Sequence, residues 1–132
     1  MNYKKALIFA ARAHAGQRRR GGDAYIIHPI RVAASLKPEK HKVIALLHDC
    51  VEDTPATLDD IEVEFGYEIM AAVDCLTKRQ GEPYARYITR ILTNDDAIAV
   101  KIADICDNLG DTPTDKAVKR SSEALTRLLM HT

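Results

Sequence analysis

Residues 43–53, VIALLHDCVED, are the most constraining stretch of this 132-residue chain. Val43 to Leu47 leave no polar face, so a helix here is apolar on nearly all sides and belongs inside the protein. His48 and Asp49 follow at once, Cys50 and Val51 resume the apolar run, and Glu52 and Asp53 end it. Burying an unpaired charge is costly or forces it to neutralise. The same conflict recurs in residues 97–108, AIAVKIADICDN, where Lys101, Asp104, Asp107 and Asn108 interrupt a second nearly all-apolar helix. A fold that holds both segments has to bring partners to these charges.

The rest of the chain reads as helix. Residues 2–15 place Ala6, Phe9, Ala10 and Ala13 on one stripe, and RRRGGDAY breaks the pattern as a loop. His28-Pro29 opens a second helix to about Leu36, with Pro at its favoured first position. A third runs from after Pro38 to about Val51, and DTPAT ends it. Thr57 with Asp60 resembles a capping box for a fourth, which stops at Gly66. Residues 67–77, 84–93, 95–109 and 115–131 complete the set, with RQGEP as a turn. Alternating β-branched patterns are absent, and AYII at 24–27 is the only short β-like piece. The expected fold is all-α, a compact bundle of seven or eight helices forming a single domain over residues 1–132.

No apolar stretch reaches the ~20 residues that span a bilayer. Lys4-Lys5 ahead of a short apolar run resembles a signal peptide, but Arg12 and His14 interrupt it and no cleavage site follows. Cys50, Cys75 and Cys106 are widely spaced inside apolar patterns, which suits reduced core thiols of a cytoplasmic protein. The net charge of zero divides unevenly: residues 1–42 hold ten Lys/Arg against two Asp/Glu, and the remainder holds nine against seventeen. Chance and solvated helix faces account for that, as does a site needing carboxylates for a cation and bases for an anionic substrate. Overall neutrality argues against direct nucleic-acid binding.

On one helix, His48 and Asp49 stand about 100° apart and reach a common ion. A His-Asp dipeptide is by itself more often a hydrogen-bonded core histidine beside a surface carboxylate. Three features favour the ion. Glu52-Asp53 lies a turn further on, at the helix end where negative charge is disfavoured. His28 opens another helix, and Asp104 lies in the second apolar one. One cation shared by His28, His48, Asp49 and Asp104 relieves both buried conflicts.

This order resembles the HD superfamily of metal-dependent phosphohydrolases. AHAGQRRRGGDAYIIHPIRVA is similar to the first motif of RelA/SpoT-type hydrolase domains, ALLHDCVEDT to the second, and LTK and VKIADICDN to the later two. The similarity runs from about residue 10 to 109. The resemblance implies that His28, His48, Asp49 and Asp104 ligate a divalent ion, usually manganese in the family. Glu52 and Asp53 match the acidic pair thought to position or activate the attacking water. Arg19 and Asn108 match nucleotide contacts. Arg18 or Arg20 helps hold phosphate, and Tyr25 and Lys78 match pocket positions. A divalent ion supplies a water acidified by several units, Glu52 or Asp53 accepts its remaining proton, and arginines offer bidentate contacts to phosphate oxygens.

The implied activity is that of a small alarmone hydrolase removing the 3′-pyrophosphate of ppGpp-like nucleotides in the stringent response. Alternatives are a related hydrolase acting on an adenosine alarmone or the 2′-phosphate of NADPH, and a non-catalytic nucleotide-binding module. Two departures bear on substrate. Ile105 and Asp107 stand where the long bifunctional enzymes have Arg and a His or Tyr, and LGDTPTD replaces a segment that carries a further Arg. Part of the pocket is then altered, absent or supplied by a second copy of the chain in a homo-oligomer. At this length there is no room for the synthetase domain of the bifunctional enzymes.

Overall fold

The computed structural model describes residues 2–19, 21–111 and 113–131. Among these described residues nine helices follow one another: α1 (Asn2–Ala13), α2 (Ile27–Ala34), α3 (Glu39–Leu47), α4 (Cys50–Asp53), α5 (Leu58–Phe65), α6 (Tyr67–Leu76), α7 (Tyr84–Ile91), α8 (Asp95–Leu109) and α9 (Asp115–Met130). Among the described residues there is no strand, only an isolated bridge between Arg18 and Ala24. The all-α expectation holds. No helix is long and apolar enough to cross a membrane among the described residues.

α3 is the centre. Its residues Val43 to Leu47 are all buried, and α1, α2, α6 and α8 pack around it. Each fully covered Val, Leu or Ile contributes roughly 1.5–3 kcal/mol of transfer free energy. Ile61, Val73, Leu76, Ile88, Ile91, Val100 and Leu128 extend that core into the later helices. α2, α3 and α8 touch one another pairwise, so the C-terminal end of α3 meets the flank of α2 and the middle of α8.

The capping box forms as expected: Asp60 N–H donates to Thr57 Oγ1 at 3.1 Å, and Thr57 N–H donates to Asp60 Oδ2 at 3.0 Å. α2 begins at Ile27, one residue before the expected start, which puts Pro29 third in the helix. That position is still within the first turn, where a missing N–H leaves no bond unmade. Gly66 sits at φ +92° between α5 and α6, a left-handed conformation that permits the immediate change of direction.

The helix expected from Pro38 to Val51 does not run through. It ends at Leu47, a turn occupies His48-Asp49, and α4 restarts at Cys50. Asp49 takes φ −101° and ψ −2°, between the helical and extended regions. His48 folds its ring back on its own helix, with Nδ1 2.5 Å from the Ala45 carbonyl. The break also alters the dipole argument. Glu52 and Asp53 lie in the single turn of the four-residue α4, its first and last turn at once, so the dipole does not single out a cation there. The cysteines differ too: all three are free, but only Cys50 is buried, and Cys106 is exposed.

Candidate metal centre

Three elements deliver four donor atoms to one point. α2 supplies His28, the turn after α3 supplies His48 and Asp49, and α8 supplies Asp104. One ligand atom from each lies within 4.8 Å of all the others. His28 Nε2 is 2.8 Å from Asp104 Oδ1 and 3.9 Å from Asp49 Oδ2. His48 Nε2 is 3.0 Å from Asp49 Oδ2 and 3.3 Å from Asp104 Oδ1. Donors held ~2.1 Å from a single ion stand about 3 Å apart when adjacent and about 4.2 Å when opposite. The observed spacings fit that range.

The chemistry of the donor set fits as well. His48 Nδ1 faces a backbone carbonyl, and His28 Nδ1 faces the Asp107 carboxylate at 2.7 Å. Carbonyls and ionised carboxylates only accept, so each Nδ1 carries a hydrogen and each neutral ring turns a lone pair from Nε2. Two such lone pairs aimed at carboxylate oxygens repel unless a cation, metal or proton, lies between. The cluster therefore suits a divalent cation. His28, His48 and Asp104 are nearly closed to solvent, at 3, 2 and 4% exposure.

The surroundings set the charges. Burial works against charge on Asp104, but Lys101 and His48 outweigh it and hold the carboxyl well below its usual range. Lys101 Nζ donates to Asp104 Oδ2 at 3.0 Å. On His48, burial opposes protonation, while Asp49 and Asp104 raise its affinity for a proton well above the ordinary histidine value. Tyr25 Oη donates to Asp49 Oδ2 at 2.5 Å, and burial and Asp49 push the phenol upward. Asp53 is raised by burial and by its neighbours Asp49 and Glu52.

The family model for the HD domain matches residues 6–130. The chain belongs to the HD-domain family. It is 34% identical to the bifunctional (p)ppGpp synthase/hydrolase SpoT of Escherichia coli K12, over 92% of this chain and 20% of that protein. It is 33% identical to a GTP pyrophosphokinase of Myxococcus xanthus, over 80% of this chain and 16% of that protein. The chain thus spans about a fifth or less of the length of these curated relatives. A solved structure of a metazoan ortholog of SpoT, reported to hydrolyse ppGpp, superposes with a TM-score of 0.82 at 28% identity, covering 96% of this chain and 85% of that one.

The other expected residues of this HD domain fall into separate places. Arg19 and Tyr25 line a cavity of about 700 Å³ with Arg18, Arg31, Asp23 and Asp111. The loop before it is pinned by Arg19 N–H to the Asp23 carbonyl and Tyr25 N–H to the Gln17 carbonyl. Arg19 Nη2 pairs with Asp111 and reaches Asn108 Oδ1 at 3.3 Å. Among the described residues its buried Nη1 has no hydrogen-bond partner, and it lies 3.6 Å from the Asp107 carboxylate. Asn108 Nδ2 in turn reaches Asp104 Oδ1 at 3.3 Å, which links this basic cavity to the carboxylates. Glu52 and Lys78 line a different cavity of about 450 Å³, where the Lys78 N–H donates to Glu52 Oε1 at 2.8 Å. Arg20 lies outside the described residues.

Several contributors had been given no role, although two of them, His14 and Gln17, lie within the first motif. His14 is buried at the end of α1, with Nδ1 2.8 Å from Gln17 Oε1 and its ring against Tyr25. Gln17 Nε2 donates to the Asp53 carbonyl at 2.8 Å, so AHAGQ braces the acidic turn. Lys101 grips Asp104, and its position three residues before that Asp was the available signal. Arg31 joins Asp107 through Nε at 2.9 Å; an exposed Arg two residues after a proline gave no such sign.

Proposed function

We propose that this HD domain, residues 1–132, is a manganese-dependent phosphohydrolase that removes the 3′-pyrophosphate of guanosine tetra- or pentaphosphate, yielding pyrophosphate and GDP or GTP. The observation that carries the reading is the convergence of His28, His48, Asp49 and Asp104 on one point inside a bundle. The relatives support the substrate class: the matched SpoT proteins are named for (p)ppGpp hydrolysis, and the metazoan ortholog is described as hydrolysing ppGpp.

In this reading the four side chains hold the ion. A divalent ion held there supplies an acidified water and positive charge for the phosphate oxygens. Glu52 or Asp53 receives the proton as the water oxygen bonds to the phosphorus beside the ribose 3′ oxygen. The phosphorus–oxygen bond to the ribose breaks, and the 3′ oxygen takes up a proton. Arg19 faces the substrate phosphates, and Arg18 or Arg20, its neighbours in sequence, helps hold them; the Arg19 Nη1, which makes no hydrogen bond among the described residues, supports that role. Tyr25 shares the Arg19 cavity and Asn108 bridges it to Asp104, while Lys78 serves the substrate from the separate cavity that it lines with Glu52. The free cysteines fit a cytoplasmic setting.

A second reading, hydrolysis of another nucleotide such as an adenosine alarmone or the 2′-phosphate of NADPH, draws on one observation. Arg19 and Arg31 are already engaged by Asp107 and Asp111, which leaves the cavity less basic than a pocket for a guanosine bearing two pyrophosphates calls for. Incubation of the purified protein with manganese and a panel of these nucleotides, followed by anion-exchange chromatography, separates the readings. Pyrophosphate and GDP from ppGpp are expected. Turnover confined to another nucleotide selects the second reading, and binding without turnover of any member selects a non-catalytic module.

A further inference from the structure

The two imidazoles of the centre are anchored differently. His48 Nδ1 is held by Ala45, a carbonyl of the helix that carries it, so no side-chain substitution can remove that acceptor. Among the described residues the ring of His28 has side-chain partners alone, Asp107 and Asp104. Its Nδ1 meets Asp107 Oδ2 at 2.7 Å, across 79 residues of sequence, from α8 to α2. The same carboxylate accepts from Arg31 Nε through Oδ1 at 2.9 Å and from Arg31 Nη2 through Oδ2 at 3.3 Å. Arg19 Nη1 lies 3.6 Å away on the other side.

We propose that Asp107 is a positioning residue: it accepts the Nδ1–H of His28, turns Nε2 toward Asp49 and Asp104, and is itself aimed by Arg31. This rests on the metal reading above and deepens it. An imidazole with free rotation about its terminal torsion presents either nitrogen, or neither, to an ion. A carboxylate on Nδ1 selects one tautomer and one ring orientation, and an acceptor behind a metal-ligating histidine also makes that ligand more basic. Arg31 keeps Asp107 from swinging away, because its Nε and Nη2 engage both carboxylate oxygens. Asp107 stands three residues after Asp104 on one helix, so the ligand and the brace of the neighbouring ligand move as one rigid piece.

The test uses full-length wild type, Asp107→Asn and Asp107→Ala, stripped of metal and titrated with manganese or zinc against a competing chelator. Asn loses the charge but keeps an acceptor oxygen, whereas Ala loses both. Asp107→Ala is expected to weaken binding by about 10–100-fold, the range for loss of such a brace, and Asp107→Asn by only a few-fold. In the zinc-loaded, nitrogen-15-labelled protein, the His28 Nδ1–H proton is expected to exchange slowly in wild type and Asp107→Asn and to vanish in Asp107→Ala. Asp107→Leu, similar in volume and without an acceptor, replaces the Ala variant if circular dichroism shows that the latter does not fold. Equal losses in Asn and Ala mean that only charge mattered and overturn the role, as does an Ala variant with wild-type affinity and an unchanged Nδ1–H signal. Wild type that takes up neither ion defeats the metal reading and this role with it, whereas normal uptake with an indifferent position 107 defeats this role alone.

Discussion

Lys101 and Asp104, one turn apart on α8, form an ion pair of 3.0 Å whose side chains are only 12 and 6% exposed. The pair uses Asp104 Oδ2 and leaves Oδ1 to the imidazoles of His28 and His48. Removing one member of a buried pair costs about 3–5 kcal/mol, because the other charge stays behind. Lys101→Met keeps the apolar stem beside Tyr87 while deleting the ammonium. It is expected to lower unfolding free energy in urea by about 3 kcal/mol in chelator, and by less in saturating manganese, where the ion supplies a counter-charge. A loss below about 1 kcal/mol would mean that the imidazoles alone neutralise Asp104.

Ligands and proton acceptor separate by what they lose. His48→Ala and Asp49→Ala each remove a donor from the cluster and are expected to abolish manganese binding and turnover together. Glu52 is outside the cluster and is held by the Lys78 N–H. Glu52→Gln keeps a hydrogen-bond acceptor for that N–H, so metal content by elemental analysis is expected to match wild type. Its rate should fall by about 10²–10⁴-fold, the usual worth of a positioned base. Metal-free Glu52→Gln protein contradicts this division of labour.

Acid should uncover the clamp that positions Glu52. Arg90 grips Glu82 through Nε at 2.7 Å and Nη2 at 2.9 Å and also donates to the Thr77 carbonyl, fixing the turn that carries Lys78. The Arg90 hydrogen bonds and the Arg79 N–H lower the Glu82 carboxyl to about 2 from an ordinary 4.5. Because the folded value is the lower one, the stabilisation is complete above the unfolded value and is lost as pH falls through the folded one. Thermal melts of wild type and Glu82→Gln should therefore differ at pH 6 and converge between about 4.5 and 2. A gap that widens on acidification reverses the sign and rejects the clamp.

Much of this site was legible because burial and charge conflict in the sequence itself. Apolar residues around His48 and Asp104 demand a counter-charge, and the structure brings the two together from the turn after α3 and from α8. What the pattern could not show was the break at His48-Asp49, since apolar periodicity carries no information about a single residue leaving helical torsions. The partners of Asp107 were equally hidden. Arg31 and His28 are distant in sequence, and an acidic residue on a helix usually reads as solvated until the packing of α2 on α8 closes over it. Glu52 and Lys78 were expected near the substrate, yet which cavity they line depends on the path of the 77–82 turn, a tertiary matter.

Asp111 tests how the basic cavity is tuned. Its carboxylate pairs with Arg19 Nη2, and its side chain is half exposed at 53%. A phosphate arriving at Arg19 has to displace that partner, so the pair is a competitor rather than a support. Exposed pairs are worth about 0.2–1 kcal/mol, which bounds the gain from removing it at about five-fold. Asp111→Ala is expected to tighten binding of GDP and of ppGpp by two- to five-fold in calorimetry, whereas Arg19→Ala should weaken it, with manganese affinity unchanged in both. Screening by salt should erase the Asp111→Ala gain, since the pair is open to solvent. Weaker binding in Asp111→Ala would instead assign the carboxylate to holding the guanidinium in its binding orientation.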